Sequence, residues 1–558
     1  MLDIHNNLCP NAANPRIQLS LDGVSESKST NISLDVYSCR FLSCKNIYPL
    51  KIVRPLLKDV INNRKELDEV VDDVNQNQCE VCHVIGDNPK RAILREAMNH
   101  ASYYACEYCH SKASQMTQPS RNLTQSELKN VKLQTLAIDN QIQLLKTSPG
   151  TSGQKQKDDA TILQLENLKK DLTEKKRKFS HVLWPASTRD SKNDRNMEEI
   201  TDIMNLIKQK EDGEIATLSP DQLKGFKSRS KFLDLTDFDF INSIPTEYMH
   251  ALCSGVMKRL TELTFNVGKN RIRVTKRRLS SPTLYNNLMR DVKVPREFSR
   301  RARQLDLSVL KAQEFRNILL FFFPIVLQCI ETDALERNLW LFLVFMIRSC
   351  ILPDDEYSLV DQNDILECSK SFYELFQQLF GVRNCSYSVH IIASHLLNMR
   401  FSGPLTETSA FIFENFYGEL RHSFVPGTKS PLKQMMQQIL LKRSLTFHCC
   451  QNSIYLSAKD TALESNSIVY IFHNGRHKMY KIISIDKDDK NHLNCVTFGC
   501  HPMYFTEITG VSWSSIGIYK QGEIGIDPID IRRKNVSGKV IQISDLLITC
   551  PINILREK

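Results

Sequence analysis

Residues 79–110, CEVCHVIGDNPKRAILREAMNHASYYACEYCH, gather acid, thiol and aromatic side chains in one stretch of this 558-residue chain. A short apolar run (Val81, Val84, Ile85) delivers Asp87 onto an Asn-Pro turn. A carboxylate at the end of a strand is a usual place for chemistry in an α/β sheet. Cys106 and Cys109 follow as a C-x2-C, which is half of a four-ligand zinc site. The complementary parts lie far away in sequence. His390 and His395 offer two imidazoles, completing a Cys2His2 set for Zn2+. Asp22 and Glu414 offer two further carboxylates, and with Asp87 they form an oxygen-only set suited to a hard cation, Mg2+ or Mn2+. Each set has rivals: Glu407 and Glu419 compete with Glu414, and His110 and His250 compete as imidazole ligands. Residues five apart lie about 140° apart on a regular helix, so His390 and His395 converge only if their helix ends or bends between them. The second C-x2-C, Cys79 and Cys82, reads as strand packing, since residues three apart face opposite sides of a strand.

The elements that must position these groups follow from periodicity. Apolar residues alternate over Ile17–Leu21, and Asp22–Gly23 has the chemistry of a turn. Strand-like runs follow at 33–42 and 46–53, then a helical pattern over 56–76 and a strand over 79–87. Pro89 suits the first turn of a helix that should run through Ile93, Leu94, Ala97 and Met98. Three strands, a helix, a strand and a helix describe the first part of an RNase H-like fold. Asp22 and Asp87, 65 residues apart, would then sit on neighbouring strands.

The expected organisation is a tail over 1–16, the first part of an α/β RNase H-like core over 17–120, and an arm over 121–180. The arm reads as an antiparallel helical hairpin, with Thr124 and Glu127 as a capping box and helices over about 125–146 and 159–179. Residues 181–400 form a mainly helical, basic insertion domain with apolar segments at 248–264, 308–330 and 334–352. Residues 401–450 return to the core with the third acid, and 451–558 form a small, barrel-like all-β domain.

Composition narrows the class. The net charge is +10, and between Lys269 and Arg303 twelve basic residues stand against two acids, a local surplus that is also +10. A solvated surface normally mixes signs, so a polyanion partner is expected, with DNA contacted by Lys269, Arg271, Arg273, Lys276, Arg277, Arg278, Arg300, Arg301 and Arg303. The 17 cysteines are too few for a disulfide scaffold, the N-terminus shows no signal-peptide core, and the apolar runs at 318–330 and 339–347 are too short to span a bilayer. A membrane partner is therefore not expected. Lys175-Lys176-Arg177-Lys178 reads either as a nuclear-import signal or as solvated charge.

Seven strings occur in order: S-L-D-G at 20–23, G-D-N-P-x-R-A at 86–92, the C-x2-C at 106–109, Y-M-H at 248–250, K-A-x-E-x-R at 311–316, H-x4-H at 390–395, and S-G-P-L…S-A-F-x-F-E-N within 402–415. Together they resemble the DDE transposases of the CACTA (En/Spm), Mirage and Chapaev group over roughly residues 17–445. The zinc-type spacing is similar to the catalytic core of the V(D)J recombinase. The resemblance implies an RNase H-like nuclease split by a helical insertion, with Asp22 bridging two Mg2+ or Mn2+ ions and Asp87 and Glu414 holding one each. Glu414, rather than Glu407 or Glu419, holds the family position. It further implies cut-and-paste DNA transposition in the nucleus by a homodimer or larger synaptic assembly. Because the chain starts about 16 residues before the first catalytic strand, the expectation is either a truncated reading frame or recognition of element ends from elsewhere. The competing expectation is a domesticated or truncated derivative that binds DNA or chromatin without cutting.

Overall fold

The structure, a computed structural model, describes residues 15–25, 33–42, 47–53, 60–98, 104–117, 180–184, 194–267, 281–290, 292, 298, 303–330, 333–422, 433–439, 441, 468–473, 476–485, 492–502, 518–532, 538–543 and 546–551. The segments expected to form the helical hairpin lie outside them.

β1 (Arg16–Ser25) is covered on both sides: Ile17, Leu19 and Leu21 are buried on one face, Gln18 and Ser20 on the other. It pairs antiparallel with β2 (Ser33–Phe41), which pairs antiparallel with β3 (Ile47–Val53). On its other side it pairs parallel with β4 (Glu80–Ile85), giving the order β3-β2-β1-β4. The turn expected at Asp22–Gly23 does not form. Asp22 pairs with Val36 and Gly23 with Asp35, because β2 runs alongside for the full length of β1 and the ladder overrides the local preference of Asp-Gly for a turn.

Between β3 and β4 lies α1 (Val60–Gln76), whose buried Leu67, Val70, Val71 and Val74 recur at helical spacing. After β4 comes α2 (Asn88–Leu94), with Pro89 in its first turn. This helix stops four residues short of the expected Met98. Glu96 takes a left-handed φ of +51°. Ala97 then forms a bridge with Phe226, and the Met98 N–H donates to the Gly225 carbonyl, so pairing with a distant segment wins over helix propagation.

Residues Lys112–Trp184 form a compact unit of their own. Within it β5 (Ser114–Thr117) and β6 (Ser180–Leu183) pair antiparallel and bring the two ends of the intervening segment together.

The helical part begins with α3 (Met197–Glu211). A π-helix, Met249–Met257, runs on into α4 (Lys258–Phe265), and its Met249, Ala251, Leu252, Cys253, Val256 and Met257 are all buried. Then come α5 (Pro282–Arg290), α6 (Ala312–Leu320), α7 (Phe323–Cys329), α8 (Ala334–Ile351) and α9 (Gln362–Phe380). α8 is apolar almost all round and packs on α9, as expected of a core helix. Among the described residues no helix is long and apolar enough to cross a membrane. The helical part goes on through α10 (Tyr387–Ser394), α11 (Leu396–Phe401) and α12 (Phe411–His422), and residues 433–439 are helical as well.

Six further strands, β7 (Ile468–His473), β8 (Arg476–Ile485), β9 (His492–Pro502), β10 (Ile518–Arg532), β11 (Gly538–Ile543) and β12 (Leu546–Pro551), close into a barrel. Val469, Ile482, Leu493 and Cys495 form part of its core.

Candidate active site and metal centre

The β1–β4 register matches Leu19 with Val84 and Ser20 with Ile85, so extending it by two residues sets Asp22 opposite Asp87. The extension is justified by backbone geometry. Asp87 is still extended (φ −68°, ψ 169°), and a Cβ placed on Gly86 would stand 3.4 Å from the Leu21 carbonyl oxygen. Adjacent strands run about 4.8 Å apart, so the two acids emerge side by side. Asp87 is also the N-cap of α2, and its Oδ1 accepts from the Lys90 N–H at 2.9 Å, which orients the carboxylate. Lys90 Nζ in turn reaches the buried Asp35 at 2.6 Å.

Glu414 arrives in the first turn of α12. Three residues on, the buried Tyr417 hydroxyl bonds Ser20 Oγ at 2.8 Å and Ser38 Oγ at 3.2 Å. Ser20 and Ser38 are cross-strand partners, and Ser20 shares a face of β1 with Asp22. Residues three apart share a helix face, so Glu414 overlooks the strand face that carries Asp22. Both Asp22 and Glu414 act electrostatically on Tyr417.

A second contact fixes the same helix. Glu247, fully buried, accepts from the Ala410 N–H at 2.8 Å and from Ser409 Oγ at 3.3 Å, just before α12. It also accepts from the Met249 N–H at 2.6 Å and the His250 N–H at 2.8 Å, and pairs with His250 Nδ1 at 2.8 Å. One carboxylate therefore caps both the π-helix and the start of α12. Burial alone would raise the Glu247 pKa, but the hydrogen bond and charge of His250 hold it below the usual range. The other imidazole nitrogen, His250 Nε2, lies 4.0 Å from Glu414 Oε1. Burial would lower the His250 pKa, but Glu247, then Glu414 and Asp87, outweigh it and raise it to about 9. An imidazolium thus stands within the field of two of the three acids.

The Cys/His set is closed. Ligand atoms of Cys106, Cys109, His390 and His395 all lie within 4.8 Å of one another, and among the described residues this is the one acid, thiol or imidazole group that meets this measure. α10 ends at Ser394 and His395 leaves helical geometry (φ −127°, ψ 18°), which supplies the break that i, i+5 convergence demands. His390 Nε2 lies 3.4 Å from Cys106 Sγ and 3.6 Å from Cys109 Sγ. Hydrogen bonds from Cys106, and then from His390 and His395, hold the Cys109 thiol well below its usual pKa, while burial pushes that of Cys106 well up. The Ser111 N–H, 3.4 Å from Cys109 Sγ, is a backbone donor to that thiolate. His395 Nε2 is buried without a hydrogen-bond partner, a cost that a metal ligand bond would remove. Two thiols, two imidazoles and this orphaned nitrogen fit Zn2+. The rival histidines are engaged elsewhere, His110 with Glu199 and His250 with Glu247. Cys79 and Cys82 line a separate cavity of about 830 Å³, and burial pushes both thiols up in pKa.

One network joins the two sets. Arg91, fully buried one turn after Asp87, bonds Glu107 between the two cysteines at 2.9 Å and 3.2 Å, and the Gly86 carbonyl at 3.1 Å. Thr246 donates from Oγ1 to Glu107 at 3.0 Å and from its N–H to the Tyr108 hydroxyl at 2.8 Å, beside Glu247. Gly255 lets the π-helix lie against α10, since a Cβ there would stand 3.0 Å from Ser388 Oγ.

Comparison with protein-family models finds no match, and comparison with curated proteins finds none. The functional reading therefore rests on geometry and on the motif strings.

Of the nine basic residues expected to meet DNA, Lys269, Arg271, Arg273, Lys276, Arg277, Arg278, Arg300 and Arg301 lie outside the described residues. Arg303 is described and pairs with Glu314 at 3.2 Å. K-A-x-E-x-R is a structural motif here: Glu314 accepts from the Lys311 N–H at 2.9 Å, and Arg316 stacks 4.9 Å from the centre of the Phe411 ring at the start of α12. Sequence reasoning missed Tyr417, Ser20, Ser38 and Glu247. Glu247 left one signal, an acid three residues before His250 in a run entering a helix; the serine–tyrosine contacts left none.

Proposed function

We propose that this chain is the DNA-cutting and strand-transferring core of a DDE-type transposase of the CACTA, Mirage and Chapaev kind, built on an RNase H-like core. The observation that carries the reading is the alignment of Asp22 with Asp87 across parallel β1 and β4, with the Glu414 helix tied over the same strand face. The order β3-β2-β1-β4, with β1 antiparallel to β2 and parallel to β4, supports the fold assignment.

Asp22, Asp87 and Glu414 would hold two divalent cations, Mg2+ or Mn2+, which supply stabilisation of the attacking and leaving oxygens of an in-line displacement. The protein's own part is orientation and charge. The Lys90 N–H sets the Asp87 carboxylate, Glu247 and Tyr417 set the Glu414 helix, and the His250 imidazolium stands ready to donate to a phosphate oxygen. The oxygen of a water or a 3′-hydroxyl gives its proton to solvent as it bonds to phosphorus, the P–O bond opposite breaks, and the leaving 3′-oxygen takes up a proton. Cys106, Cys109, His390 and His395 would hold Zn2+, tying the knuckle after α2 to α10. This matters because Glu414 is over 300 residues from Asp87, yet must be held within about 0.5 Å of a productive position. The basic stretch 269–303 would bind the DNA backbone. A homodimer or larger synaptic assembly, working in the nucleus, completes the reading.

The test is Mg2+- or Mn2+-dependent nicking of duplex DNA and joining of a 3′-hydroxyl end by the purified full chain, with Asp22→Asn, Asp87→Asn and Glu414→Gln as controls. Activity lost in all three variants supports the proposal. DNA binding with no metal-dependent cutting at any divalent concentration would overturn it in favour of a non-cutting DNA or chromatin binder.

A further inference from the structure

We propose that Tyr417 is a positioning residue that sets Glu414 against Asp22 through its hydroxyl, an inference that rests on the acid cluster proposed above. Tyr417 is 2% exposed, and its hydroxyl reaches partners 397 and 379 residues away in sequence, on two different strands. A hydroxyl removed from water destabilises a core unless it is hydrogen-bonded. Here three buried hydroxyls satisfy one another, and these bonds favour the rotation of α12 that sets Tyr417 over β1 and β2. Without that bond, the buried Phe413, Phe416 and Leu420 still hold α12 on the core, but no polar contact two turns in fixes the last few degrees of its rotation over β1. Glu247 anchors α12 only at its N-terminal end, at Ala410. Tyr417 adds a second anchor two turns on, and Glu414 lies between the two. A helix held at both points cannot swing its glutamate away from the strand.

The charge state fits this role. Burial pushes the Tyr417 pKa up, so the hydroxyl stays neutral and adds no negative charge beside Asp22 and Glu414.

The decisive experiment titrates the full chain with Mn2+ in the absence of DNA and follows free Mn2+ by electron paramagnetic resonance. It uses the parent, Tyr417→Phe, Ser20→Ala, the double variant Tyr417→Phe/Ser20→Ala, and Glu414→Gln as the reference for loss of a ligand. Thermal unfolding of each checks the fold. Tyr417→Phe should weaken Mn2+ binding by about 5- to 10-fold and lower the ratio of Mg2+- to Mn2+-supported cutting, since Mg2+ tolerates misplaced ligands less. The double variant should bind no more weakly than Tyr417→Phe alone, because Ser20→Ala removes only a bond that Tyr417→Phe has already removed. Parent-like Mn2+ affinity in Tyr417→Phe, with affinity lost in Glu414→Gln, overturns the positioning role and leaves the acid cluster standing. Parent-like affinity in Glu414→Gln as well overturns the acid cluster and this inference with it. Should Tyr417→Phe not fold, Ser20→Ala/Ser38→Ala keeps the tyrosine and gives the same readout; unchanged affinity there overturns the inference.

Discussion

The Cys/His centre and the three candidate acids draw on neighbouring segments but differ in closure. Cys106, Cys109, His390 and His395 are at most 2% exposed, and their donor atoms already lie within 4.8 Å of one another. The acids are more open: the Glu414 side chain is 41% exposed, and Asp22 and Asp87 are half-buried. Thiol and imidazole donors can hydrogen-bond one another and pack together in the core, as His390 does with Cys106 and Cys109. Three carboxylates cannot, since like charges in a low dielectric repel strongly. They stay nearer solvent, and two of them, Glu414 and Asp87, lie in the field of the His250 imidazolium. A closed site suits a structural metal and an open one suits a reaction at its surface.

That contrast can be broken by mutation, and the largest effect is expected at the closed site. Cys109→Ser should cost several kcal/mol of stability, because metal binding and folding are one equilibrium in such sites. Metal analysis should show about one zinc equivalent in the parent and none in the variant. A metal-free parent with an unchanged melting temperature would reduce the cluster to packing.

The open site should behave in the opposite way. Asp22→Asn, Asp87→Asn or Glu414→Gln should leave the melting temperature unchanged or slightly higher, as mutual repulsion is relieved. Each should lower strand cleavage on the order of 10³-fold, the equivalent of about 4 kcal/mol of transition-state stabilisation. A variant that loses stability and activity together would place its acid among the structural residues.

His250 gives a pH test between the two. Its folded-state pKa, about 9, lies above the usual value of 6.5, so its contribution is fully present below pH 6.5 and is lost as pH rises through 9. In Mg2+-free buffer, denaturant unfolding of the parent should therefore show stability falling over that window, by up to about 3 kcal/mol. His250→Gln should flatten the fall; an identical slope in the variant would place the transition on another group.

The smallest effect is expected in the basic stretch, where phosphate contacts set position without reading sequence. Arg300→Ala/Arg301→Ala should flatten the log–log salt dependence of duplex binding by up to about two units, equally on all sequences. Arg303→Ala should instead lower stability by about 1 kcal/mol, since Arg303 pairs with the largely buried Glu314. A change of about three units in Arg300→Ala/Arg301→Ala/Arg303→Ala would show that Arg303 leaves Glu314 for DNA.

Several features were legible in residue order alone. Alternation marked β1, the Asn-Pro step marked the start of α2, and the C-x2-C and H-x4-H strings marked residues that do converge. These rest on local rules, period and turn chemistry, which act within a few residues. The helix break at His395 was a condition stated by geometry, and the backbone meets it. What lay beyond the sequence was decided by partners far away along the chain. Asp-Gly at 22–23 is a turn former by local preference, yet it is strand because β2 pairs with it. Met98 lies beyond the helix because Gly225 takes its N–H. α12 lies over the strand face that carries Asp22 because Tyr417 finds Ser20 and Ser38, and because Glu247 caps its start from 163 residues away. A buried polar group must find a partner wherever the fold puts one. Sequence states that demand without saying which residue will answer it, and only tertiary packing makes the choice.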